Sequence, residues 1–364
     1  MKIRKSKGAG LVLVMVIFSI LTIFCVSLMT MGVGGARNAA YQKKSKQAYY
    51  IARSGADSVG TYIINNPTID TSLVSHASSD NSTFFSNGTF NVEVTSPVSN
   101  QISIIGTGKV GGVTRTTTQV LRRMTLGELI DKAIYTDSPL DIGNMKVEGD
   151  IQSGESISYR TNGSNRYDDT KYKALPNSPK YIETVIPTTA PPMYSPNNLT
   201  VNSNTITLSS SYTFSTITID QNKTLKIVAD NNVINIIVDS LYIKGNLQIS
   251  ASGNGRVNLF VNNLMEVQTK GFINNTAPKN LFIYMQKDSI FRMQANITTN
   301  AYIIAPDAYV EVQSNQSTIY GAVIAKKLTK NGSNGPNGSV VFVPQDNTSI
   351  VDPNIKAYTI LKWE

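Results

Sequence analysis

One stretch limits what this chain can fold into. No residue from Gly8 to Ala36 is charged, and Leu11 to Met31 (LVLVMVIFSILTIFCVSLMTM) is apolar except for Ser19, Thr22, Ser27 and Thr30. As a helix those 21 residues rise ~31 Å at ~1.5 Å each, the thickness of a bilayer's hydrocarbon core. The four hydroxyls can bond back to the preceding turn of such a helix. Lys2, Arg4, Lys5 and Lys7 stand before it. A basic leader of this kind predicts a single-pass protein of the cell membrane, with a cytoplasmic N-terminus and an extracytoplasmic body.

Charge and the rare side chains exclude several function classes. The 364 residues carry a net charge of +9. Met1 to Gly60 holds nine basic residues and one acidic residue, Asp57, so the body beyond is close to neutral. A nucleic-acid-binding protein keeps its basic stripe on the folded domain, so no nucleic-acid partner is expected. Cys25 is the one cysteine and His76 the one histidine. They permit no intrachain disulfide, and neither a zinc site nor a Cys/His nucleophile is expected. Phe24 before Cys25 is too bulky for a lipid-attachment box, so the thiol reads as a small apolar group of the membrane helix.

Three readings fit the N-terminus. A secretory signal peptide needs a shorter apolar core and a small-residue cleavage site, which Gly34, Gly35 and Ala36 imitate. A plain signal anchor fits the hydropathy equally well. The third rests on the junction Lys7-Gly8-Ala9, where a charged leader meets glycine and then the apolar run, as in prepilins. KGAGLVLVMVIFSILTIF followed by QAYYIARSGADSVGTYI resembles the N-terminal region of PilX-type pilus assembly proteins. The match runs through Gln47, Ala48, Tyr49, Tyr50, Ile51, Ala52, Gly55 and Ala56 and departs at Arg53 and Ser54. This resemblance implies cleavage between Gly8 and Ala9 by a prepilin peptidase, with the helix retained as anchor and filament core. Major pilins carry a glutamate five residues after the cut. Leu13 stands there, which resembles minor pilins rather than the shaft subunit. The partners implied are other pilins, the pilus assembly machinery and the lipid bilayer.

Beyond the membrane run, Gly32, Gly34 and Gly35 predict a weakened helix. Tyr41, Ser45, Ala48, Ala52, Gly55, Val59 and Tyr62 then recur at helical spacing. Small residues line that stripe, which admits a second helix. Lys43, Lys44 and Lys46 read as a solvated face. Asn65-Asn66-Pro67 ends the helix.

After Pro67 the period changes to two. Thr89–Val94, Gln101–Ile104 and Val113–Leu121 alternate, with turns at Asn100 and Gly111-Gly112, so a small antiparallel sheet is expected. Ile134–Ile157 has short apolar steps split by Gly143, Gly149 and Gly154, as in solenoid turns. A segment rich in proline (Pro176, Pro179, Pro187, Pro191, Pro192, Pro196) follows. Apolar strands then open at Ile236, Leu259, Leu281, Tyr302, Gly321 and Val340, roughly 20 residues apart, a solenoid period. Asn232, Asn254, Asn275 and Asn296 fall between them as turn residues. "AYIIAPDA" at 301–308 and "YGAVIAK" at 320–326 resemble a β-solenoid domain found behind PilX-type N-termini in bacterial envelope proteins.

The fold expected is mainly β: a transmembrane and stalk helix, a small antiparallel sheet and a C-terminal parallel β-helix, with a β-sandwich as the alternative. The divisions are a leader 1–8, helix 9–66, pilin-like sheet 67–130, first solenoid turns 131–160, Pro-rich linker 161–198, β-helix 199–350 and C-terminal tail 351–364. Asp230, Asp239, Glu266, Asp288, Asp307 and Glu311 are the acidic residues of the repeats and read as solvated coil edges out of register with the period. NGSNGPNG (331–338) lacks the lysine of a phosphate loop. No enzyme, cofactor or metal is expected. The function expected is a minor pilin displaying a solenoid toward a surface glycan or host ligand. The alternative is an anchored surface β-helix that binds or cleaves envelope polysaccharide.

Overall fold

The apolar run is the first half of one uninterrupted helix, α1 (Ala9–Asn65), in a computed structural model of the chain. The structure describes residues 9–67, 78–79, 88–96, 100–143, 145–159, 171, 173–176, 182–187, 190–268, 270–294, 296–313, 316–330, 337–344 and 354–364. Leader residues Met1 to Gly8, His76 and the loop residues 331–336 lie outside them. Gly32, Gly34 and Gly35 lie within α1, which continues through them without a break. Each glycine costs a helix about 1 kcal/mol, too little to stop propagation between long flanking segments without a proline. Thr22 and Thr30 hydroxyls donate to the carbonyls of Phe18 and Val26. The helix ends at Asn65, ahead of Pro67.

The second half of α1 packs on an antiparallel sheet formed by β1 (Ser78–Ser79), β2 (Gly88–Thr95), β3 (Gln101–Val110), β4 (Val113–Arg123) and the chain's last strand, Tyr358–Trp363. Gly111 and Gly112 take φ +51° and +86° in the two-residue turn that sets Val110 opposite Val113, the left-handed pair a tight hairpin requires. Alternate residues of β3 (Ile102, Ile104, Gly106, Gly108, Val110) are buried. A Cβ on Gly106 would stand 2.2 Å from the Ala52 carbonyl oxygen, and one on Gly108 would stand 2.1 Å from that of Ala48. The small-residue stripe of the stalk is therefore covered by the chain's own sheet, not by a second helix. Gln119 is fully buried beside Gly60, and its amide has no hydrogen-bond partner among the described residues.

The rest of the chain is a parallel β-solenoid of about 7 turns, and strand makes up 54% of the structure. A short helix, α2 (Leu126–Leu129), opens it, with Glu128 accepting from the Thr125 amide at 2.9 Å in a capping box. Then come β5 (Ile134–Thr136), β6 (Leu140–Gly143), β7 (Met145–Glu148), β8 (Ile151–Ser153), β9 (Ile157–Tyr159), β10 (Ala174–Pro176) and β11 (Glu183–Thr184). The long coils use β12 (Asn198–Val201), β13 (Thr205–Leu208), β14 (Tyr212–Ile219), β15 (Thr224–Asp230), β16 (Val233–Ile243), β17 (Asn246–Ser252), β18 (Arg256–Val267) and β19 (Phe272–Asn274). They continue through β20 (Leu281–Met285), β21 (Ile290–Met293), β22 (Thr298–Val312), β23 (Thr318–Lys330) and β24 (Asn337–Phe342), and β25 (Ile355–Lys356) and β26 (Tyr358–Trp363) close the chain.

Parallel pairing runs β12-β14-β16-β18-β20-β22-β23, then β5, β8 and β10. The segment 131–160 thus stacks beyond β23, at the end of the solenoid away from β12, although it comes first in sequence. Ile236 sits beside Leu259 as the repeat implies, but Leu259 pairs with Ile283, so Leu281 falls beside Val257. A slip of two residues keeps every side chain on its face.

Inward residues such as Ile236, Leu259, Ile283, Ile303 and Val323 form the main core. The outward residues of the same strands form a second one: Ile237, Phe260, Phe282, Tyr284, Tyr302 and Ile304, under Leu126, Leu129, Ile130, Ile182 and Ile355. Phe260 and Tyr284 stack at 4.8 Å. Strands buried on both faces explain the unbroken apolar triplets in the sequence. Asn232 and Asn254 lie in the turns between strands as expected, and their neighbours Asn231 and Gly253, like Asn222, take the left-handed conformation. Asn275 instead exchanges two side-chain-to-carbonyl bonds of 2.6 Å with Asn300.

Candidate functional site

Two regions carry groups that folding leaves available. The first is the start of α1. Ala9 opens the helix, and Leu13 lies on it 62% exposed. Exposure stays high from Leu11 to Val33, where Phe18, Phe24, Met29 and Met31 are each more than 60% exposed. Gly10 to Asn65 is long and apolar enough to cross a membrane. Nothing lies within 4 Å of a Cβ built on Gly32, Gly34 or Gly35. Cys25 is exposed on the same segment.

The second region is a charged corner of the solenoid. Pro306-Asp307-Ala308 forms a bulge, because Ala305 pairs with Ala325 while Tyr309 pairs with Lys327. One coil earlier Asp288 turns the chain at φ +61°, and its amide donates to the Asp307 carbonyl at 2.9 Å. One coil later Lys326 reaches Asp288 Oδ1 at 3.3 Å and lies over the Tyr309 ring. Asp137 enters from β5, its Oδ1 accepting from the Tyr135 hydroxyl at 2.7 Å. Burial pushes the Asp137 carboxyl above its ordinary value, and the Asp307 charge adds to that. Burial also raises Asp307, with Glu183 and Asp288 adding and Lys287 and Lys326 opposing. Carboxyls held neutral more readily than usual can donate a proton or a hydrogen bond.

Beside the corner runs a second polar column. Arg292 Nε donates to Glu311 at 2.7 Å and its Nη1 to Glu266 at 3.3 Å. Gln268 and Gln294 donate to Glu266, and Gln313 to Glu311. Glu311 first, then Glu266, holds the Arg292 guanidinium above its already high value. The carboxylates expected out of register are therefore partly in register: Glu266 and Glu311 flank Arg292 in one column. Asp288, Asp307 and Lys326 stand 19 residues apart in turn, a spacing visible in the sequence once the lysine is counted with the acids. Asp137 and Glu183 carry no such signal, since the topology alone brings them in. No group of three or more His, Cys, Asp or Glu among the described residues is arranged to hold a metal ion.

The model of a family described as a domain of unknown function, DUF7305, matches residues 161–345, just over half of the chain. The chain belongs to the DUF7305 family. The DUF7305 match takes in β10 to β24 and leaves out α1, the antiparallel sheet and Asp137. Asp288, Asp307, Lys326 and the Glu266–Arg292–Glu311 column lie inside it. No curated protein matches the sequence. Among solved structures, the competence-associated pilin ComZ from Thermus thermophilus is similar at 9% identity and a TM-score of 0.32, covering 88% of this chain and 97% of its own. Chains related at that TM-score need not share a fold.

Proposed function

We propose that this protein is a structural subunit of a type IV pilus system, of the minor pilin kind, whose DUF7305 solenoid is displayed outside the cell for adhesion. The observation that supports this reading is the division of α1. Its first half is apolar and uncovered, and its second half is buried on an antiparallel sheet through Gly106 and Gly108. An uncovered apolar helix suits a bilayer before assembly and neighbouring pilin helices after it. Leu13 fits a subunit that needs no buried carboxylate to pair with a neighbour's terminal amine. The chemistry is non-covalent, with no cofactor.

The test is the N-terminal sequence of the mature protein from cells with and without prepilin peptidase. A start at Ala9 that requires the peptidase supports the reading. Retention of Met1 with the peptidase active defeats it, and a start near Ala36 points to a released secretory domain.

A second reading is favoured by the acidic corner: an anchored surface protein that binds or cleaves envelope polysaccharide with Asp137 and Asp307. Purified protein and its Asp307→Asn variant, assayed on envelope polysaccharide for binding and release of reducing ends, decide it. Equal behaviour of the two removes the corner from any such role.

A further inference from the structure

The charge on α1 is grouped at one level. Ala9 to Ala36 is free of charge over 28 residues, ~42 Å at ~1.5 Å each, which matches a bilayer together with its headgroup layers, ~40–45 Å. Arg37 follows at once, and Lys43, Lys44 and Lys46 stand ~9–14 Å beyond it on the same unbroken helix. All four are exposed, and so is Tyr41 among them. No carboxylate precedes Asp57 in the chain. At ~100° per residue, Arg37 and Lys44 fall on the side of Ala48, which the sheet covers, while Lys43 and Lys46 fall on the opposite side. The β3–β4 hairpin adds basic groups at the same level. A Cβ on Gly111, in its turn, would stand 3.2 Å from the Lys44 ammonium, and Arg115 Nε donates to Ser45 Oγ at 2.8 Å. Neither strand of that hairpin holds an acidic residue. Helix and hairpin together form a basic collar around the helix axis.

We infer that this collar docks on anionic phospholipid headgroups of the extracytoplasmic leaflet and sets how far the helix–sheet unit stands from the membrane. The inference rests on α1 crossing the bilayer, as in the reading above. Shape selects the occupant. A protein partner meets one side of a helix, whereas a leaflet meets every side at one depth, as the collar does. Charge selects it further. A second copy alongside in register would bring the same basic groups and be repelled, while a headgroup phosphate brings the opposite charge. Helical Cβ bonds tilt toward the helix N-terminus, here the membrane side. Lysine stems that start in that direction, with a Debye length of ~8–10 Å, bridge the distance above Arg37. Tyr41, between Arg37 and the lysines, is a residue type that membrane–water interfaces favour.

The experiment uses the full chain in lipid nanodiscs, with Cys25→Ser and Asn38→Cys so that a single thiol carries a fluorophore beside the collar. Asn38 is exposed. Phosphatidylglycerol or phosphatidylcholine bearing a nitroxide high on the acyl chain is added, at equal fractions, to phosphatidylcholine discs. Quenching reads only the lipid next to the fluorophore, so the basic leader at the far face does not contribute. Quenching by labelled phosphatidylglycerol should exceed that by labelled phosphatidylcholine at least about twofold. Lys43→Gln/Lys44→Gln/Lys46→Gln should at least halve that preference, and Lys43→Arg/Lys44→Arg/Lys46→Arg should keep it. About 1 M salt should remove it, because the Debye length is then ~3 Å. Equal quenching by the two labels, from a chain held in the discs, overturns the inference. So does a preference that the glutamine variant keeps in full. A chain that does not stay in the discs defeats the anchor itself and the inference with it, so the two failures are told apart.

Discussion

At the residue scale the helix–sheet contact depends on missing side chains. Gly108→Ala drives a methyl group into the Ala48 backbone. It should destabilise the chain by about 1–3 kcal/mol, the cost of overpacking, read as a lower urea midpoint in detergent. Gly34→Ala meets nothing and should leave that midpoint unchanged or raise it slightly. Gln119 makes the opposite point. Its buried amide finds no partner, so Gln119→Leu removes a desolvation penalty of about 1–3 kcal/mol and should raise the midpoint. Asp307 gives the pH dependence. Its folded pKa lies above the ordinary 3.8, so the folded state binds the proton more tightly than the unfolded chain. The stability this adds is complete below about pH 4 and is lost as pH rises through the folded value. Asp307→Asn should therefore raise the thermal midpoint at pH 7, by an amount on the order of 1 °C because solvent reaches the corner. The gain should vanish near pH 4.

At the element scale the Glu266–Arg292–Glu311 column joins three strands. Arg292→Met leaves two carboxylates facing each other and should cost about 2–3 kcal/mol near neutral pH. Chemical unfolding of the variant beside the parent at pH 7 checks this. The same scale shows what was legible beforehand. The membrane run, the Asn65 stop, the Gly111-Gly112 hairpin and the coil period follow from local rules about charge, backbone freedom and alternation, and all can be read along the chain. Leu259 beside Ile283 could not be, because a coil's length is set by its corners and a two-residue slip conserves the inside–outside pattern. The stripe Ala48–Ala52–Gly55 announced a close neighbour, but only the fold shows that Gly106 and Gly108 supply it. The acidic corner was half legible: Asp288, Asp307 and Lys326 share a spacing, whereas Asp137 arrives from a strand far away in sequence. The expected cut between Gly8 and Ala9 rests on the sequence alone, because Gly8 lies outside the described residues.

At the scale of the whole molecule, the order of stacking differs from the order of synthesis. The strands 134–153 complete the stack beyond β23, so they wait for residues made much later. Contacts that distant are slow to form. Deleting residues 131–160 should uncover the β23 and β24 edges, and the protein should then aggregate on refolding, measured as light scattering after dilution from denaturant.

The solenoid also begins and ends in one place. β4 runs into it at Arg123, β26 leaves it at Tyr358, and the two lie side by side in the antiparallel sheet, where Thr118 and Glu364 exchange backbone bonds of 2.8 and 2.7 Å. The whole repeat array therefore occupies the position of a loop between neighbouring strands. It behaves as a cassette: coils can be gained or lost inside it by whole units without moving either splice point. Lineages that keep the same helix and sheet are then free to vary what they carry, and how long it is, by editing one insertion.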